Sequence, residues 1–112
     1  MSFERACGVG DVESGGALAT VLEGRRGVPV AVIRDGDEWY AVDDECSHAA
    51  IPLSEGDIEG CEIECWLHGS RFDLRTGKPT GPPATEPVAV YAVQVDGDDV
   101  LVDLTAPLNS VD

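Results

Sequence analysis

The sequence predicts an all-β chain built on an antiparallel β-sandwich. Apolar residues recur at every second position or in short unbroken runs, no segment holds a three-to-four-residue period, and Asp-Gly pairs punctuate the runs. Strands are expected at 5–9, 17–23, 28–34, 38–42, 62–65, 71–73, 88–95 and 99–104. Asp35-Gly36 separates V-A-V-I-R from E-W-Y-A-V, and Asp96-Gly97 separates V-Y-A-V-Q-V from D-V-L-V-D-L. Asp-Gly tolerates the positive φ of a tight hairpin, so each pair marks a two-strand turn. In C-E-I-E-C, alternation puts Cys61, Ile63 and Cys65 on one strand face and Glu62 and Glu64 on the other. The stretch 78–87 holds four of the seven prolines and reads as a stiff connector, because proline fixes φ and resists sheet pairing. Residues 106–112 show no periodicity and read as a tail.

A length of 112 residues with 43% apolar content allows one domain, 1–112, with a modest core. Within it, about 43–76 is more irregular and is flanked by the hairpins of the sandwich, as an inserted small β subdomain would be. This insertion carries both histidines of the chain and two of its four cysteines, in the spacing C-x-H-x16-C-x2-H: Cys46, His48, Cys65 and His68. A lone Cys is usually a small core hydrophobe and a lone His an ordinary polar group. Four together, each His within three positions of a Cys, point to a metal site. Zinc ribbons and fingers usually pair Cys with Cys and His with His, whereas a [2Fe–2S] centre with two Cys on one iron and two His on the other suits mixed pairs. Each pair can then give one ligand to each iron.

The stretches C-S-H-A-A-I-P-L and C-W-L-H-G-S-R-F-D-L-R-T-G resemble the Rieske family, and in particular its small soluble ferredoxins, over roughly residues 28–104. The resemblance implies a Rieske-like fold in which the small subdomain holds one [2Fe–2S] cluster in two loops, with Cys46, His48, Cys65 and His68 as ligands. It also implies that Gly81, Pro82 and Pro83 cover the cluster as a third flap. Ala49, Ala50, Ile51, Trp66, Leu67, Pro82 and Pro83 would form an apolar tip suited to brief docking. Trp66 and Leu67 also read as ordinary packing residues between sheets, and for Trp66 the two readings weigh equally. Thiolates stabilise ferric iron and imidazole donates less charge, so the electron is expected on the iron held by His48 and His68.

High-potential members of that family carry a disulfide between the two loops, at the places that hold Ile51 and Leu67 here. They also follow the second His with Gly-Ser-x-Tyr, and this chain keeps Ser70 but has Phe72. Both departures imply the low-potential branch, at the negative end of a range of roughly −150 to +300 mV. That branch resembles ferredoxins of ring-hydroxylating dioxygenases. The function implied is a one-electron carrier, not an enzyme, between a flavin-dependent ferredoxin reductase and a terminal non-haem iron oxygenase. An accessory or redox-sensing protein of iron–sulfur metabolism, and a small subunit of a larger reductase, are the competing functions.

Seven Lys+Arg against 22 Asp+Glu give a formal charge of −15, which repels phosphate backbones and anionic lipid. Nucleic-acid and membrane partners are not expected, and the chain reads as a monomer. Eleven acids fall between Asp35 and Ser70 with no Lys or Arg among them, either a solvated surface or one that steers a basic partner. There is no apolar run of about 18 residues and no signal-like N-terminus, and Arg25-Arg26 precedes no apolar stretch, so a cytoplasmic location is expected. Cys7 and Cys61 read as structural thiols, and Cys61 is the weaker candidate ligand because Trp-Leu-His trails Cys65. G-V-G-D-V-E lies in no strand–turn–helix context, so no nucleotide site is expected.

Overall fold

The computed structural model describes residues 3–21, 29–44, 52–65, 69–81, 87–104 and 108. They form ten strands: β1 (Phe3–Gly8), β2 (Gly16–Val21), β3 (Pro29–Asp35), β4 (Glu38–Asp43), β5 (Asp57–Glu59), β6 (Glu62–Glu64), β7 (Arg71–Asp73), β8 (Pro79–Gly81), β9 (Val90–Asp96) and β10 (Asp99–Asp103). Single 3₁₀ turns occupy Val9–Asp11 and Leu53–Glu55. Six strands make one antiparallel sheet in the order β1-β10-β9-β4-β3-β2, and four make a second in the order β5-β6-β7-β8. The all-β expectation holds.

β3 explains why the two sheets stay together. Its V-A-V-I run is buried on both faces, the pattern of a strand with a layer on each side. Because side chains alternate, Val30 and Val32 enter one core with Ala41, Tyr91, Val100, Val102 and Cys7. Ala31 and Ile33 enter the other, with Val42, Leu53, Ile63, Cys65, Phe72, Leu74, Val88 and Val90. The first core fills the sandwich, and the second cements the small sheet onto the outer face of β3 and β4.

The hairpin turns fall one residue later than Asp-Gly suggests. Asp35 pairs with Glu38 and Asp96 with Asp99, so the turn residues are Gly36-Asp37 and Gly97-Asp98. Only the glycines have positive φ, 63° in each case, which is the type II′ signature of Gly at the first turn position. Two short strands escape the sequence patterns. β5 was hidden in an acidic D-I-E triplet, and β8 begins at Pro79 inside the proline-rich stretch expected to be a connector. A proline is tolerated there because β8 is an edge strand and Pro79 is its first residue.

Candidate metal centre

Of the four expected ligands, Cys65 lies among the described residues, whereas Cys46, His48 and His68 lie outside them, as do the apolar-tip residues Ala49, Ala50, Ile51, Trp66, Leu67, Pro82 and Pro83. What the structure builds is the set of stems on either side of the two segments on which these ligands are expected. Cys65 directly follows β6 and is 2% exposed, packed with Ile63, Phe72 and Leu74. Its N–H donates to Ser70 O at 2.7 Å and its carbonyl accepts from Gly69 N–H at 3.0 Å, closing the segment 66–68 at its base. Gly69 adopts φ 75°, a left-handed conformation that glycine takes without steric cost. Ser70 is fully buried beside this closure, and Phe72 is fully buried in the core below it.

The other segment on which ligands are expected, 45–51, lies between Asp44 and Pro52. Asp44 is one of the eleven acids of the acidic stretch, yet it is only 6% exposed. One carboxylate oxygen accepts from Ser54 N–H at 2.6 Å and the other from Ser54 Oγ at 2.8 Å. Asp44 N–H donates to Pro29 O at 3.0 Å, anchoring the same residue to β3. Nothing in the spacing of the chain signals this pair, because the partners are ten residues apart and neither belongs to the ligand motif. Leu53, at the start of the 3₁₀ turn, is fully buried in the core that holds Cys65. Gly56, just past the turn, lies against the backbone of Glu64, the residue before Cys65; a Cβ there would stand 1.7 Å from Glu64 O. The stems of the two segments therefore meet at Gly56 and Glu64.

The remaining cysteines are free thiols. Burial pushes the Cys7 thiol up, as suits a core residue of the sandwich. Cys61 is not a strand residue as alternation implied. It occupies the second position of the Gly60-Cys61 turn with φ 65°, although its side chain still packs toward the core of Ile63 and Cys65. Two successive positive φ values, 58° and 65°, make this a type I′ turn, costly for a residue with a Cβ. Cys61 Sγ and Tyr40 OH share a hydrogen bond of 3.1 Å. That bond, with burial and the negative charge nearby, leaves the Tyr40 phenol pushed up to about 12.

On the outer face of the small sheet, carboxylates oppose carboxylates: Asp57 pairs with Glu64 and Glu59 with Glu62. Like charges directly across a ladder repel. Arg71 on β7 compensates, with Nε 2.9 Å from Glu64 and Nη1 3.7 Å from Glu62, and its own proton is held more tightly by the hydrogen bond to Glu64 and the charge beside it. These five residues line a shallow cavity of about 80 Å³. Among the described residues no group of three or more His, Cys, Asp or Glu converges as a metal requires, these carboxylates included.

The donor chemistry fits an iron–sulfur cluster. A soft thiol is buried in an apolar core, next to a buried hydroxyl residue, at the root of a closed turn. Residues 3–92 match the Rieske [2Fe-2S] domain family. The chain is 40% identical over 106 residues to the biphenyl dioxygenase ferredoxin subunit of Pseudomonas sp. (strain KKS102), covering 94% of each chain. Its fold matches the ferredoxin of carbazole 1,9a-dioxygenase from Nocardioides aromaticivorans IC177 with a TM-score of 0.83 at 40% identity, over 91% of this chain and 97% of that one. It also matches a chain in a complex of reduced oxygenase and oxidized ferredoxin in carbazole 1,9a-dioxygenase, with a TM-score of 0.86 at 35% identity, over 95% and 96% of the two chains. With the match spanning most of its length, the chain belongs to the Rieske [2Fe-2S] domain family.

Proposed function

We propose that this chain is the ferredoxin component of a ring-hydroxylating dioxygenase system, a single domain that carries one electron at a time from a flavin-dependent ferredoxin reductase to a terminal oxygenase. Cys46 and His48 from one segment and Cys65 and His68 from the other hold one [2Fe–2S] cluster, on a subdomain of about 43–76 whose sheet β8 completes. When bound, that group accepts and returns a single electron. The protein excludes water behind it with Cys65, Phe72 and Leu74, fixes the stems by backbone hydrogen bonds, and presents an acidic sheet face that favours encounter with a basic partner. It works as a monomer in the cytoplasm; no helix among the described residues is long and apolar enough to cross a membrane.

The observation that carries this proposal is Cys65, buried at the mouth of a turn closed on Ser70 and followed at the right spacing by His68. Purified protein should hold about two irons and two sulfides and, once reduced, give an EPR signal with average g below two. Alanine at Cys46, His48, Cys65 or His68 should abolish that signal, while Cys7→Ala and Cys61→Ala should keep it. Stoichiometric zinc without sulfide would overturn the assignment.

A further inference from the structure

Asp44 does more than end a strand. A carboxylate this well buried costs free energy unless both oxygens are satisfied, and here one accepts a backbone N–H and the other a hydroxyl from the same residue, Ser54. The two residues bracket the segment that contains Cys46 and His48. Ile51 and Leu67 cannot form a disulfide between the two segments, so apart from the cluster itself their separation must be set by noncovalent contacts.

We propose that the Asp44–Ser54 pair is a noncovalent brace that positions the first ligand-bearing segment, 45–51, against the second. The proposal rests on Cys46 and His48 being ligands. Asp44 ties the outgoing stem to the returning one, and its N–H ties both to Pro29 on β3. From Ser54 the chain runs through Gly56 onto the backbone of Glu64, which leads directly into Cys65. Closing a short loop at its stems removes much of its freedom to open, as a disulfide would, while the network stays indifferent to thiol redox chemistry. Asp44 is thus a positioning residue: it acts on the ligands through the stem and is not itself a ligand.

The test measures iron release from the loaded protein to a chelator under native conditions, with the EPR line widths of the reduced protein and hydrogen exchange over residues 53–56. Charged hydrogen bonds of this kind predict that Asp44→Ala releases iron roughly ten- to a hundredfold faster, with broadened lines and lost protection at Ser54. Ser54→Ala keeps the N–H donor and should accelerate release roughly three- to tenfold. Asp44→Asn should restore near-normal release, because its carbonyl oxygen still accepts the N–H and the Ser54 hydroxyl can turn to accept from its NH₂. Val100→Ala, a cavity in the distant sandwich core, supplies a control with comparable loss of global stability. If Asp44→Ala does not accumulate, Ser54→Ala and Asp44→Asn decide. Wild-type release rates and line widths in both Asp44→Ala and Ser54→Ala, or equal acceleration by Val100→Ala, would overturn the brace. A wild type that binds no iron and sulfide would instead overturn the ligand assignment beneath it.

Discussion

Gly56→Ala should damage this protein more than its place in an exposed-looking turn suggests. Gly56 has φ −87° and ψ −178°, extended backbone that any residue adopts, so the objection to a side chain is purely one of space. A Cβ would sit 1.7 Å from Glu64 O and 2.9 Å from Glu64 C, and the oxygen contact must open to at least 3.0 Å. A flexible side chain could swing away, but these are backbone atoms of β6, held in register between β5 and β7. The strain therefore falls on the sheet or on the turn that carries Ser54. Overpacking costs about 1–3 kcal/mol, and a clash with ladder backbone belongs at the upper end, about 3 kcal/mol. For a chain of this length that lowers Tm by roughly 12 °C. Calorimetry on loaded and metal-free protein measures it, with Gly10→Ala as control, since nothing lies within 4 Å of a Cβ there. A Gly56→Ala protein within about 0.5 kcal/mol of wild type would refute the close approach of the two stems.

Phe72→Tyr puts a hydroxyl into a fully buried site beside Cys65; if it reaches the ligand sulfur, the midpoint should rise by tens of millivolts without loss of stability, and otherwise the unpaired hydroxyl should cost about 1–3 kcal/mol. Tyr40 should be slow to ionise, because its phenol is pushed up to about 12 by the bond to Cys61. Its folded pKa exceeds the unfolded value of about 10, so its contribution is complete below about pH 10 and disappears as pH rises through about 12. The stability difference between wild type and Tyr40→Phe should narrow over that window, and a Tyr40 phenolate band already developed at pH 10 would contradict the shift. Arg71→Ala leaves Asp57, Glu59, Glu62 and Glu64 facing one another; chemical denaturation at low salt should show a small loss of stability that higher salt largely recovers, whereas a salt-independent loss would mean Arg71 acts by packing.

Sequence patterns revealed the strands long enough to show period two, and the C-x-H-x16-C-x2-H spacing pointed to the family that the chain belongs to. What escaped did so for physical reasons. β5 and β8 are no shorter than β6 and β7, but the D-I-E of β5 sits in a run of acids and β8 opens on a proline that argues against pairing; both exist because β6 and β7 offer them partners. Asp44 looked like any other acid in an acidic stretch; only the fold brings Ser54 to it. Cys61 obeyed the alternation of C-E-I-E-C, yet the type I′ turn needed two residues at positive φ and took Gly60 and Cys61. Phe72 was identified from its place after Ser70, and its complete burial adds that any hydroxyl there must find a partner or destabilise the core.

β3 connects the strength of the sandwich to the geometry of the metal centre. Because Val30 and Val32 belong to one core and Ala31 and Ile33 to the other, neither face can be repacked without moving the strand that both share. Pro29 O, at the head of that strand, also receives the Asp44 N–H, so the root of segment 45–51 inherits its position from a strand whose Val30, Ala31, Val32 and Ile33 are all fully buried. A carrier that must present the same ligand geometry before and after electron transfer benefits from such an anchor, since any loop rearrangement would add to the barrier for transfer. A disulfide could supply the same rigidity, but in a reducing compartment it would be open to reduction. A buried carboxylate that accepts two hydrogen bonds does not respond to the redox state of the surroundings, so a stem held by Asp44 and Ser54 would keep its place whether the carrier is oxidised or reduced.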